Sequence, residues 1–318
     1  MRLIEGLDAL RALDLPALVG DGPQSRSVVA VGVFDGVHLG HQRLLHELLE
    51  MASDLQGVPT AITFRNHPDQ VLHGAAPPLL VSVPHRLRLL RRAGVLRLVL
   101  LDFEPRLQQL SAREFAEDLL VRRLRTKGLL LGYDSALGKD REGTPERFAA
   151  LGRELGFAVR TGQTFAVDGG TVSSTAIRNA IAAGDLQQAQ RLLGRPPSAF
   201  GEVLHGDGRG RPLGFPTANV VPQSAVLPPH GVYAVEAIVD GRAIAGVANL
   251  GVRPTFADAD HTPVLEVHLF DFEGDLYGRD IEVAFIAYLR PERRFASADE
   301  LRAQIARDVA QARERLRA

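Results

Sequence analysis

Short apolar runs alternate with segments of helical period over the first 185 residues. The run VVAVGVF (28–34) is rich in β-branched residues and stops at an Asp-Gly turn, which predicts a buried strand. From Leu39 the period lengthens, and Leu44, Leu45, Leu48 and Leu49 share one face of a predicted helix. VPTAITF (58–64), LRLVLLDF (96–103) and KGLLLGYD (127–134) predict three more buried strands. Ser111 stands three residues before Glu114, a capping-box signal for a helix carrying Phe115, Leu119 and Leu120. Thr144-Pro145 reads as an N-cap followed by proline in the first turn, and Gly156 as the end of that helix. Strands alternating with helices predict a parallel, doubly wound α/β sheet.

The pattern changes after GRPPS (194–198), which reads as a linker. YAVEAIV and RAIAGVANL flank Asp240-Gly241, the residues a type I′ hairpin turn favours. VLEVHLFDF and DIEVAFIAYL predict further strands, so residues 199–290 read as a small antiparallel barrel or sandwich. A closing helix is predicted from a cap at Ser297, with Leu301, Ile305, Val309, Ala312 and Leu316 as its apolar stripe.

The 318 residues suit two domains, and 45% hydrophobic residues supply two cores. A net charge of −1 asks for neither nucleic acid nor an anionic membrane as partner. Without cysteine there is no disulfide, zinc ribbon or thiol nucleophile. The N-terminus lacks a signal-peptide pattern and no apolar run reaches membrane-spanning length, so the expected location is the cytoplasm. Nothing in the composition dictates an oligomeric state.

Candidate chemistry gathers first at VAVGVFDGVHLGH (29–41). A strand that ends in a glycine turn and opens a helix presents free N–H groups and a helix dipole to a phosphate. Phe34, Asp35, Gly36 and Gly40 shape that turn, and His38 and His41 can donate to phosphate oxygens as charge develops. Two histidines three apart with no third ligand make a weak metal pair. GYDSALGKD (132–140) is no P-loop, because five residues separate its glycines and Asp140 follows the lysine.

The segment GVFDGVHLGH resembles the H-x-G-H nucleotidyltransferases, and more narrowly the prokaryotic bifunctional riboflavin kinase/FMN adenylyltransferase family. VSSTAIR (172–178) matches a second family segment, and the resemblance sets Ser173, Ser174, Thr175 and Arg178 on the phosphates of ATP. It further implies a nucleotide role for Gly132 and Asp134 and a flavin role for His67 and Pro68. Asn66 stands where the family usually has proline, and Ser135 and Leu137 where it usually has aromatics that pack on a planar ligand.

HGDGRGRPLGFPTANV (205–220) concentrates glycine, arginine and hard oxygen donors. Gly206 allows close backbone approach, Arg209 and Arg211 suit phosphates, and Pro216 precedes Thr217 and Asn219, which point to one face. A hydroxyl and an amide oxygen suit Mg²⁺ held mainly by substrate phosphates and water. With GVANLGVRPTF and LEVHLFDF following, the C-terminal stretch resembles riboflavin kinase. That resemblance implies Glu266 as catalytic base, Thr217 and Asn219 as contacts of Mg²⁺–ATP, and Arg253 on the flavin side.

The implied whole is α/β plus β. A Rossmann-like nucleotidyltransferase domain spans residues 1–190, and a small antiparallel β-barrel kinase domain with a terminal helix spans 191–318. Riboflavin, FMN and ATP are the expected substrates. Two other readings fit the same residues: a riboflavin kinase whose N-terminal domain is altered or inactive, and a flavin-binding regulator without catalysis.

Overall fold

The computed structural model describes residues 2–19, 21–167, 169–206, 210–224, 226–252 and 262–317. The chain divides into two compact units, Met1–Pro78 with Arg86–Val172, and Leu79–His85 with Ser173–Ala318. Among the described residues, no helix is long and apolar enough to cross a membrane.

The first unit holds a six-stranded sheet of β1 (Arg2–Glu5), β2 (Ser27–Val31), β3 (Val58–Phe64), β4 (Arg97–Leu101), β5 (Thr126–Leu131) and β6 (Ala158–Thr161). Its order is β1-β4-β3-β2-β5-β6 and every pairing is parallel. The central strands β2 and β4 are buried at every residue, which is why they read as unbroken apolar runs rather than alternating ones. The two edge strands, β1 and β6, lack an apolar run because most of their residues face solvent. Sequence pattern therefore did not reveal them. The first predicted strand ends at Val31, not Phe34, and the run through Asp134 ends at Leu131.

The local signals hold. Ser111 and Glu114 form a reciprocal capping box, and the helix continues as a widened π-type turn over Phe115–Arg123. Thr144 Oγ1 accepts from the Arg147 N–H at 3.3 Å, and Gly156 ends that helix in the left-handed conformation. In the helix Leu39–Asp54 the buried positions are Leu45, Leu48, Met51 and Ala52, while Leu44 and Leu49 remain partly exposed. A short hairpin, β7 (Ala166–Val167) with β8 (Gly170–Thr171), completes the unit.

The second unit is a closed antiparallel barrel. Its strands are β9 (Ser198–Leu204), β10 (Ala218–Pro222), β11 (Gly231–Val239), β12 (Arg242–Val252), β13 (Pro263–Leu269) and β14 (Asp280–Arg290). They close in the order β10-β13-β12-β11-β14-β9. Both residues of the Asp240-Gly241 turn have positive φ, 49° and 79°, as a type I′ hairpin requires. Val203, Val220, Tyr233, Val235, Leu250, Leu265 and Phe285 fill the interior.

The closing helix Ala298–Arg317 starts where expected, with Ser297 Oγ accepting from the Glu300 N–H at 3.2 Å. Its buried face differs from the predicted stripe. Ala312 is buried, but so are Gln304 and Asp308. Asp308 takes a forked pair of bonds from Arg290 of β14 (Nη2 to Oδ2 2.7 Å, Nε to Oδ1 3.0 Å) and a third from Gln304 at 2.7 Å. An ion pair thus replaces apolar contact along that part of the helix.

Candidate active sites

In the first unit, β3 and β4 extend the sheet to one side of β2, and β5 and β6 to the other. The strand order therefore reverses at β2–β5, and the crevice beyond the carboxyl ends of these two strands is where open α/β sheets bind ligands. The turn after β2 and the segment Gly132–Asp134 after β5 both lie at those ends.

The turn is tightly built. Phe34 is fully buried in the left-handed region (φ 52°), and Val37 also has positive φ (42°). Non-glycine residues in that region cost about 1 kcal/mol or more each, a strain characteristic of functional turns. Asp35 and Gly36 are buried between them. His38 caps the following helix, its Nδ1 accepting from the His41 N–H at 3.3 Å. That acceptor role puts the His38 proton on Nε2. A Cβ on Gly40 would lie 3.2 Å from His38 Cε1, so glycine leaves room for the ring over the helix start.

The two imidazoles stack, with centroids 3.7 Å apart and planes 16° from parallel, and Phe34 meets His41 edge-on at 5.3 Å. His41 Nδ1 is enclosed without a hydrogen-bond partner. Burial first, then the neighbouring His38 and Arg86, hold its pKa well below the usual imidazole value of 6.5. The site therefore offers a His41 imidazole held neutral and stacked on His38 at a helix N-terminus, an arrangement suited to donating hydrogen bonds to phosphate oxygens.

His67 caps the helix Pro68–Leu72 at the end of β3, its Nδ1 accepting from the Asp69 N–H at 3.2 Å. Asn66 exchanges two bonds with the main chain of Phe103, 2.9 Å and 2.8 Å, and so ties the loops after β3 and β4 together. Leu137 packs on the core of the first unit and bridges Gly143 through two main-chain bonds. Ser135 closes a turn on Gly132. Asn66 and Leu137 thus have structural work of their own. The helix Ser174–Ala182, capped by Ser173 (3.2 Å to the Ala176 N–H) and carrying Thr175 and Arg178, belongs to the second unit.

Strand register assembles the second site. Glu266 of β13 lies opposite Asn219 of β10 on one side and Asn249 of β12 on the other. The three form a row across the barrel wall, directly opposed side chains in a sheet being about 5 Å apart. This row and Thr217 line a cavity of about 850 Å³, which reaches Phe295 and Ile305 beside the closing helix. A smaller cavity of about 330 Å³ is lined by Arg211, Pro216 and Tyr277, and Thr217 borders both. Gly206 lies against Asn219, where a Cβ would meet Nδ2 at 2.2 Å. Arg209 and Arg253 fall outside the described residues. Among the described residues there is no group of three or more His, Cys, Asp or Glu side chains able to hold a metal.

Sequence reasoning missed Asn249, Glu292 and Arg86. Asn249 donates to Glu292 at 2.9 Å on the cavity wall, a contact between residues 43 apart in sequence that only the folded chain brings together. Arg86, 1% exposed, donates to the carbonyls of Val33 (2.7 Å) and Phe64. Its signal was present: it lies three and four residues before the buried Leu89 and Leu90, on the inner face of the helix Val83–Arg92.

Comparison with known proteins bears on both sites. Residues 21–176 match the FAD synthetase family and residues 193–316 the riboflavin kinase family. The chain is 43% identical to a bifunctional riboflavin kinase/FMN adenylyltransferase of Pseudomonas fluorescens, over 98% of this chain and 97% of that one. It is 42% identical to the protein of that name from Escherichia coli K12 (99% and 97% covered) and 35% to that of Bacillus subtilis 168 (91% and 92%). A crystal structure of a Streptococcus pneumoniae chain described as a macrolide-efflux protein superposes with a TM-score of 0.77 at 31% identity. It covers 96% of this chain and 97% of that one.

Proposed function

The chain belongs to the bifunctional riboflavin kinase/FMN adenylyltransferase family, and on that premise we propose which residues carry each reaction. The enzyme phosphorylates riboflavin with ATP to give FMN, then transfers AMP from a second ATP to FMN, giving FAD and diphosphate.

For the kinase step, Glu266 accepts the proton of the ribityl hydroxyl as its oxygen attacks the γ-phosphorus and ADP leaves. Thr217 borders both cavities, which supports ATP phosphates in the smaller one and flavin in the larger. Gly206, Arg209, Arg211 and Pro216 are assigned to the nucleotide, and Arg253 to the flavin. Thr217 Oγ1 and Asn219 Oδ1 are hard oxygen donors that suit Mg²⁺, and with so few protein ligands the ion would be held largely by phosphate and water oxygens. When bound, that ion neutralises charge on the phosphates.

For the adenylyl step, a phosphate oxygen of FMN attacks the α-phosphorus of ATP as the bond to diphosphate breaks. His38 and His41 donate to the oxygens on which negative charge grows. Ser173, Ser174, Thr175 and Arg178 are assigned to the ATP phosphates, Gly132 and Asp134 to the nucleotide, and His67 and Pro68 to the flavin. The functional division is residues 1–190 and 191–318, and the enzyme works in the cytoplasm without nucleic-acid or membrane partners.

The observation that carries the two-reaction reading is the stacked histidine pair at a helix start where the strand order reverses. One incubation tests it: purified protein, riboflavin, ATP and Mg²⁺, with flavins separated over time. FMN appearing first and FAD after it is the expected result. FMN accumulating without FAD would overturn the assignment of the first unit.

A further inference from the structure

We propose that Arg86 is a positioning residue for adenylyl transfer, tying the carboxyl ends of β2 and β3 together beneath the histidine turn and supplying the positive field in which His41 works. The proposal rests on the assignment of that step to His38 and His41.

The first argument is geometric. β2 and β3 end at Val31 and Phe64, and main-chain carbonyls near those ends need donors once the sheet ladder stops. Arg86 Nη1 donates to Val33 O at 2.7 Å, Thr63 Oγ1 donates to the same oxygen at 3.0 Å, and Arg86 Nη2 donates to Phe64 O. Val33 immediately precedes the strained Phe34-Asp35-Gly36-Val37 turn, and Phe64 precedes the loop that carries His67 and Pro68. One planar guanidinium thus fixes both loops that shape the site. Its two terminal nitrogens hold a fixed fork, whereas the single ammonium of a lysine would offer both carbonyls one point charge.

The second argument is the charge. A buried cation is expensive, and burial lowers the Arg86 pKa to about 10 in spite of the attraction of Asp35. Arg86 Nε has no hydrogen-bond partner, so the group is not there to complete a saturated polar network. A cation held at this cost beside two imidazoles and the proposed polyphosphate site acts on both. Burial most, then His38, then Arg86 disfavour a second proton on His41. The enclosed, partnerless His41 Nδ1 points the same way, because a proton there would have no acceptor. His41 is left neutral with its proton on Nε2, a donor whose state does not change across physiological pH. Among the described residues, the groups that act electrostatically on Arg86 or His41 are Asp35 from the turn and His38 from the helix cap, with Arg86 also acting on His41.

The test uses full-length Arg86→Lys and Arg86→Met, assayed for FAD formation from supplied FMN and ATP between pH 6 and 9. Arg86→Met is expected to lose about tenfold or more in rate, equivalent to at least about 1.4 kcal/mol. Its His41 imidazole, followed by NMR, should titrate at higher pH than in the wild type. A buried lysine can lose its proton several units below its ordinary value and so within the assayed range, whereas Arg86, even lowered to about 10, stays protonated from pH 6 to 9. Arg86→Lys should therefore keep more activity at pH 6 and lose it along an alkaline limb the wild type lacks. If Arg86→Met does not fold, the pH profile of Arg86→Lys carries the test alone. A loss in Arg86→Lys that is the same at every pH would reduce Arg86 to packing and overturn the proposal, as would rates within about twofold of wild type in both variants. His41→Ala separates the two levels. If it leaves FAD formation unchanged, the site assignment itself fails. If it abolishes FAD formation while both Arg86 variants remain active, only the Arg86 proposal falls.

Discussion

Gly206→Ala should disable the kinase through one side chain. A Cβ built on Gly206 lies 2.2 Å from Asn219 Nδ2, 2.6 Å from Cγ and 2.8 Å from Oδ1. Ordinary van der Waals contact begins near 3.4 Å, so the amide must retreat by more than an ångström. Asn219 is buried and its strand is paired on both sides, which leaves it little room to move without losing its aim into the cavity. A displacement of about 1 Å in a positioning group costs on the order of 100-fold in rate, or about 2.7 kcal/mol. Gly206 does not have positive φ, so alanine adds bulk without backbone strain. The assay is the initial rate of FMN formation against Mg²⁺ concentration, with FAD formation from supplied FMN as the internal control. The expected result is a rate about 100-fold lower and a weaker apparent Mg²⁺ affinity, with the control unchanged. Adding Gly206→Ala to Asn219→Ala should then cost little more, since both act on one group. A Gly206→Ala enzyme with wild-type rate and Mg²⁺ dependence would refute the reasoning, as would full additivity with Asn219→Ala.

Three further outcomes are expected. Glu266→Gln should lower FMN formation by about 100-fold or more while leaving FAD formation from supplied FMN intact, and His38→Ala should do the reverse; chromatography of both flavins reads each. Asp308→Ala strands the Arg290 guanidinium and should destabilise the barrel unit by about 3 kcal/mol, the low end for a buried pair because Arg290 keeps 19% side-chain exposure, as denaturant unfolding would measure. His41 binds its proton less tightly when folded than when unfolded, so its contribution to stability is complete above about pH 6.5 and declines as pH falls below that value; a flat unfolding midpoint of the first unit from pH 7.5 to 5, with His41→Ala no different, would contradict this.

Whatever depends on neighbours along the chain was legible in the sequence. The buried strands β2 to β5, the Ser111–Glu114 box, the Thr144 cap and the Asp240-Gly241 hairpin each rest on a local preference, and each formed. The proposed site segments also stand out in the sequence, because glycine with hydroxyl or imidazole side chains in short order is what close approach to phosphates would need. Edge strands escaped, since β1 and β6 bury too little to leave an apolar signature. The predicted stripe of the closing helix was half right: Arg290 lies on a distant strand, and only its presence makes Gln304 and Asp308 buried residues.

The sequence by itself determined two folded units of different class and the segments in which the proposed reactive groups lie, because periodicity and turn chemistry are properties of adjacent residues. Tertiary structure decided which groups share a wall or a field. Register alone sets Asn219, Glu266 and Asn249 in one row, since a slip of one residue would turn them to opposite faces. Only the packed sheet makes Arg86 a buried cation under His41, because the cost and the use of a charge depend on what surrounds it in space.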